Sequence, residues 1–179
     1  PGFRGVGDQA EAWIPYVMIA GRLDVRGNRG PYVLARLRPG AYTYAVTSDG
    51  FDEPITIRVR CEAHGGELAI DYTGSSPESR RGINVVMNYT EAYSTYGAKV
   101  IVSPDVPNNE GAFRPVRITA PEGSILNARH PAPVAARHVV GHFLPHAIAG
   151  ALREALPDRV MAEGSANIWG VQVSGRDED

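Results

Sequence analysis

The stretch "AYTYAVTSDGFDEPITIRVRCEAHGGELAIDYTG", residues 41–74, decides the fold class. In "ITIRVRCE", Ile55, Ile57 and Val59 alternate with Thr56, Arg58 and Arg60. That period of two is the signature of a strand with one buried face. "AYTYAV" alternates in the same way, and "TSDGFDEP" supplies turn residues between the two runs. "AHGGE" makes a second tight turn into "LAIDYTG". Three consecutive antiparallel strands follow from this pattern.

Beyond the polar loop "SSPESRRG" the period changes. In "INVVMNYTEAYSTYGAKVIV", residues 83–102, Val85, Tyr89, Ala92 and Tyr96 recur at helical spacing, which predicts a helix carrying that stripe. "SPDVPNNEG" ends it with two prolines and an Asn-Asn-Glu-Gly turn. "FRPVRITAP" reads as a further strand and "EGSILNARHPAPVA" as a long irregular connection. "AIAGALREALPDRV" predicts an amphipathic helix with Ala147, Ala151, Leu152 and Ala155 inward, Arg153 and Glu154 outward, and Pro157 as its stop. "ANIWGVQVSGRD" alternates like a strand. In residues 1–40, "AWIPYVMIAGRLDV" suits one strand or a short helix, and "RGNRGP" a loop. The expected class is α+β: a largely antiparallel sheet with two principal helices over residues 41–179. Residues 1–40 form an unplaced N-terminal segment. Neither the start at Pro1 nor the end "GRDED" resembles a natural terminus, so the domain is expected to be part of a larger multi-domain subunit.

Composition bounds the function. The chain has 179 residues, 43% hydrophobic and 21% charged, ordinary for a globular protein. A net charge of -2 leaves no electrostatic footprint for nucleic acid or an anionic membrane. No apolar run approaches a spanning helix and no signal peptide is visible. Cys61 is the single cysteine, so no internal disulfide forms, and a cytoplasmic location is expected. It falls in the strand-like "IRVRCEA" and reads as a small packed residue. Of the 18 basic residues only Lys99 is a lysine. The arginine bias fits a GC-rich genome, or bidentate anion contacts that lysine cannot imitate.

The sequence contains no Walker-type phosphate loop, no dinucleotide fingerprint, no GxSxG elbow and no HExxH. "DYTGSS" could hold a phosphate, but a plain turn is the simpler reading. Three polar clusters remain. In "RRGINVVMNY", Arg80, Arg81, Asn84 and Asn88 mark a helix start, where free amides and arginines suit an anionic group. The alternative is capping and solvated loop charge. In "PNNEGAFRP", Asn109 and Gly111 fit a position of positive φ, and Glu110 and Arg114 are spaced to pair. The third cluster, "RHVVGHFLPH", repeats histidine every four residues at His138, His142 and His146. A helical i, i+4 pair such as His138 and His142 can ligate a divalent metal. Pro145 interrupts the stripe and no acid or cysteine lies within it, which favours packing at a kinked helix start over ligation.

These segments, in this order, resemble the hydantoinase B/oxoprolinase family. "DYTGSSPESRRGINVVMN" is similar to its D-[FY]-[ST]-G-[ST]-x-P-x-x-x-G-x-[IL]-N segment. "PDVPNNEGAFRPVRITAPEGSILN" is similar to its D-[IL]-P-x-N-x-G-x-x-R-P-[IV] and P-x-G-[ST]-x-[LV]-N segments. The likeness covers about residues 41–176 and corresponds to a C-terminal portion of the family's chains. It implies a catalytic subunit that works with an actin-like, ATP-binding hydantoinase A-type partner in a hetero-oligomer. Such pairs open hydantoins, 5-oxoproline or lactams at the expense of ATP. A related branch, the acetone and acetophenone carboxylases, carboxylates ketones instead, and the His-rich "RHVVGHFLPH" leans toward it. ATP and Mg are implied on the partner. The family's His/Asp metal motifs lie upstream, and residues 1–40 contain none, so a divalent metal is expected on a region missing from this chain. The resemblance makes Arg81, Asn84, Asn109 and Arg114 the candidate catalytic residues and implies that the chain is inactive alone. A non-catalytic assembly module of such a complex is the remaining alternative.

Overall fold

A computed structural model describes residues 17–22, 31–104, 106–164 and 173–175, with 17–22 and 31–36 as backbone only. Strands β1 (Val17–Arg22) and β2 (Pro31–Leu37) form an antiparallel pair. The "MIAGR" part of the ambiguous early segment is thus extended. The second sheet contains β3 (Gly40–Ser48), β4 (Ile55–His64), β5 (Glu67–Asp71) and β6 (Val116–Thr119), in that spatial order.

The three expected strands pair antiparallel, with Gly40 opposite Ala63 and Ser48 opposite Ile55 at the two ends of the first ladder. Residues Ile55, Ile57, Val59, Cys61 and Ala63 of β4 are buried while Arg58, Arg60, Glu62 and His64 are exposed, the alternation that the sequence shows. Gly65 and Gly66 close the next hairpin with φ of 59° and 90°. Positive φ at both central residues is what a type I′ turn requires, and glycine adopts it without a Cβ clash. The fourth strand departs from the antiparallel pattern. β6 runs parallel to β5, with Leu68 opposite Val116 and Asp71 opposite Thr119. The sheet is therefore mixed, and a crossover of the kind a parallel pair needs carries the first helix.

Helix α1 (Met87–Val102) forms where its period predicts, but its inward face differs from the apolar stripe. Thr90, Ser94, Gly97, Ala98, Ile101 and Val102 are buried, whereas Ala92 and Tyr96 are exposed. Val85 is buried, but it precedes the helix and donates its N–H to Ile125 O. The cause is a close helix crossing. A Cβ on Gly97 would lie 2.8 Å from Pro145 Cα, so the crossing point admits only glycine, with the small Ser94 and Ala98 buried beside it and Tyr96 turned outward. Tyr72, buried beneath α1, hydrogen bonds with Ser94 Oγ at 2.7 Å.

A short helix α2 (Glu110–Phe113) occupies the expected Asn-Asn-Glu-Gly turn. After the irregular connection come α3 (His138–Gly141) and α4 (Phe143–Leu152). α4 buries Leu144, Ala147, Ile148, Ala151 and Leu152, as its amphipathic pattern predicts; Arg153 and Glu154 are exposed just beyond its end, and Ala155, expected inward on the helix, lies after it and is half-buried. It ends at Leu152, one turn before Pro157. α1 and α4 cover the apolar face of the four-stranded sheet, and the core lies between them. Residues 166–172 and 176–177 of the expected C-terminal strand lie outside the described residues, and 173–175 have no regular structure. Among those described, no helix is long and apolar enough to cross a membrane.

Candidate functional site

In "DYTGSS" the hydroxyls bind the turn to the sheet. Thr73 donates its N–H and its hydroxyl to Asp71 Oδ1 at 3.0 and 2.8 Å. Ser75 Oγ accepts from Arg58 N–H, and Ser76 Oγ accepts from Thr56 N–H. The polar groups that a phosphate would use are thus engaged within the chain.

Asn84 organises the loop that follows. It is fully buried; its Oδ1 accepts the Ser79 N–H at 2.6 Å, and its Nδ2 points at Ser79 O, Arg81 O and Pro133 O at 2.8, 3.1 and 2.9 Å. One amide side chain therefore joins two segments 49 residues apart. Arg81 is exposed and grips Asp52 in the β3–β4 turn through Nε and Nη2, at 2.8 and 2.6 Å. That hydrogen bond holds the Asp52 carboxyl below its usual range and raises the Arg81 guanidinium. α1 begins only at Met87, and its N-cap Val86 has no side-chain acceptor. Arg80 and Asn88 are exposed beside this loop.

Asn109 caps α2. Its Oδ1 accepts the Ala112 N–H at 2.9 Å, and its φ is -158°, extended rather than positive. A cap needs a β-region backbone and a short acceptor, and Asn supplies both without a left-handed turn. Gly111 likewise lies inside α2, not at positive φ. Glu110 and Arg114 pair across one turn at 3.4 Å on the surface.

The sheet separates these residues into two pairs. The Asp52 turn that holds Arg81 lies where β4 begins, hence where β5 ends. β6 is parallel to β5, so α2, just before β6, lies at the opposite end beside the Gly65–Gly66 turn. Leu68 N–H donates to Pro115 O at 2.8 Å there. Arg81 and Asn84 are brought together, as are Asn109 and Arg114. The two pairs do not meet.

The histidine stretch is helical with a break at His142. Pro145 has no N–H to give the Gly141 carbonyl, which interrupts the hydrogen-bond ladder there. His138 is exposed at the start of α3. His142 sets its ring edge against Tyr93, centroids 5.7 Å apart, and Tyr93 stacks on Tyr89 at 4.4 Å. The Arg137 guanidinium lies 5.8 Å from the Tyr89 ring centroid. His146 Nδ1 is 3.0 Å from His142 O. Among the described residues, no three His, Cys, Asp or Glu side chains gather as metal ligands.

The outward face of α1 and the adjoining face of α4 border a groove of about 1190 Å³. Tyr93, Tyr96, His142, His146, Tyr44 and Arg153 contribute to its wall. The helical spacing of Ala92 and Tyr96 was legible in the sequence, but the groove they border was not. The usable signal was the surplus of aromatic residues over what one helix face can bury.

The family model described as Hydantoinase B/oxoprolinase matches residues 27–179, extending the likeness into the segment left unplaced. The B component of a D-/L-hydantoinase of Pseudomonas sp. is 30% identical over 82% of this chain and 27% of its own length. An uncharacterised protein of Methanocaldococcus jannaschii is 33% identical over 70% of this chain and 22% of its own. The ATP-dependent caprolactamase from Pseudomonas jessenii superposes with a TM-score of 0.63 at 25% identity, over 70% of this chain and 22% of that one. An acetone carboxylase structure gives 0.53 at 15% identity over 69% and 18%, a likeness of fold alone. The chain spans about a quarter of the length of the first two of these relatives. With its motifs in order, its α+β fold shared and its family model matched over most of its length, the chain belongs to the hydantoinase B/oxoprolinase family.

Proposed function

We propose that this chain is a portion of a hydantoinase B-type catalytic subunit, which acts with an ATP-binding hydantoinase A-type partner to hydrolyse a cyclic amide such as a hydantoin, an oxoproline or a lactam. The observation that carries this reading is the family match together with the likeness to a caprolactamase, stronger in both overlap and identity than that to an acetone carboxylase. Ring opening is therefore preferred to ketone carboxylation. ATP and Mg belong to the partner in this reading. The divalent metal is assigned in this reading to a region outside this chain, where the family's His/Asp motifs lie.

The separation of the candidate residues supports an incomplete site in the isolated chain. Asn84 has its hydrogen-bonding capacity engaged internally, which suits a loop-shaping role. Arg114 is 68% exposed and only loosely paired, so its donors remain available to an anionic intermediate. The test is ADP release and ring opening by the complete subunit with its partner, using hydantoin, 5-oxoproline and caprolactam. Ring opening that requires both subunits is expected. ADP release that depends on a ketone and bicarbonate, or turnover by the isolated chain, overturns the reading. Arg114→Ala and Asn109→Ala should lower turnover with assembly intact, whereas unchanged turnover would make the chain an assembly module.

A further inference from the structure

We propose that the groove between α1 and α4 is a binding site for the ring of an uncharged cyclic amide, with His146 as the residue that accepts its N–H. The ligand class rests on the function proposed above; the place and the residues rest on the groove itself.

Three observations converge. The first is aromatic surface along the wall: Tyr93 and Tyr44 pack partly against the core, while Tyr96 is left outside it. Tyr93 and Tyr96 from α1 and Tyr44 from β3 line the groove, and Tyr96 is 59% exposed. Aromatic faces take up a flat ring at little entropic cost, and each tyrosine also offers a hydroxyl. The second is the state of His146. A carbonyl oxygen can only accept, so the 3.0 Å contact with His142 O requires the hydrogen on Nδ1. In the neutral ring Nε2 then keeps its lone pair, as an acceptor with a fixed tautomer. A cyclic amide carries the complementary N–H, and its carbonyl can be met by a tyrosine hydroxyl or by Arg153.

The third observation is charge. Arg153 and Arg159 line the groove together with Glu154 and Glu163, so the formal charges cancel. The Arg153 guanidinium lies 5.5 Å from the Tyr44 ring centroid, and Tyr44 hydroxyl approaches Glu163 Oε2 at 3.4 Å. A phosphate or a dicarboxylate finds no net positive field there, whereas a neutral polar ring leaves the balance intact. The volume somewhat exceeds the roughly 300–1,000 Å³ of common small-molecule sites. The ring therefore takes the end walled by Tyr93, His142 and His146.

The experiment is a ligand-observed NMR titration of the 179-residue chain with hydantoin and with caprolactam, followed also through the imidazole nitrogens. Saturable binding that moves the His146 Nε2 resonance is expected, weakened at least tenfold by His146→Ala. Tyr96→Ala should weaken it severalfold, and because Tyr96 is largely exposed that variant retains the fold. Absence of saturable binding, or equal affinity in both variants, overturns the proposal. The two proposals fail separately. A complete assembly that opens the ring with KM unchanged in both variants removes the groove and leaves the function. An assembly that opens no cyclic amide, alongside a chain that binds through these residues, removes the function and leaves the groove.

Discussion

Replacing Asn84 by Ala tests whether this residue holds the loop or acts in chemistry. The substitution removes one acceptor and two donor hydrogens that together reach four backbone groups, those of Ser79 N–H, Ser79 O, Arg81 O and Pro133 O. A net hydrogen bond contributes about 1 kcal/mol, and a buried polar group left unpaired costs about 1–3 kcal/mol. Ser79 is only half-buried, so water can recover part of its loss. The expected destabilisation is about 3 kcal/mol. At about 2–4 °C per kcal/mol for a chain of this size, Tm should fall by about 6–12 °C. Asn84→Asp keeps the acceptor for Ser79 N–H but sets a carboxylate against three carbonyls. Its folded-state pKa would be raised, so that variant should be destabilised at neutral pH and recover as pH falls toward about 4. Urea unfolding followed by circular dichroism, with thermal scans, measures both. A loss below about 1 kcal/mol in the Ala variant, accompanied by loss of turnover in the assembly, would refute the structural role.

Further outcomes are expected elsewhere in the fold. Gly97→Ala gains about 1 kcal/mol of helix propensity but places its Cβ 2.8 Å from Pro145 Cα; overpacking of about 1–3 kcal/mol should dominate, giving a lower Tm. The Asp52 and Glu67 carboxyls are held below their usual values of 3.8 and 4.5 by hydrogen bonds from Arg81 and Arg117. Depressed folded-state values mean a stabilising contribution present above those usual values and lost as pH falls below them. Asp52→Asn with Glu67→Gln should therefore flatten the acid limb of the stability–pH profile, and about 1 M salt should shrink the effect because both pairs are exposed. Cys61 is fully buried, and burial pushes its thiol up to about 12. A thiol reagent at about pH 8 should leave the folded chain unmodified and titrate this cysteine only after denaturation.

Local chemistry made much of this architecture readable. The alternation of β4 and the Gly65–Gly66 turn are properties of a few adjacent residues, and both appear as written. The parallel β5–β6 pairing was not readable, because it joins segments far apart in the chain and leaves no mark on either strand. Which face of α1 turns inward was not readable for a related reason. Its apolar period is real, but the limit on side-chain size comes from Pro145 on another helix. Positive φ was expected at Asn109 because Asn-Glu-Gly resembles a turn, where the chain instead builds a capped helix. The polar candidates stood out as residue types, yet their partners Asp52 and Pro133 lie far away in sequence. Only the folded chain separates Arg81 and Asn84 from Asn109 and Arg114.

The seam at Gly97 and Pro145 joins backbone to backbone, and so divides α1 into two faces with different freedoms. At the crossing point the inward face is sterically closed, and a Cβ on Gly97 meets Pro145. The outward positions Ala92, Tyr96 and Val100 are exposed, and their replacement leaves the core packing untouched. Their side chains can be exchanged wholesale while the scaffold keeps its shape. A new set of contacts along that wall could thus be acquired by substitution alone, without compensating changes in the sheet beneath.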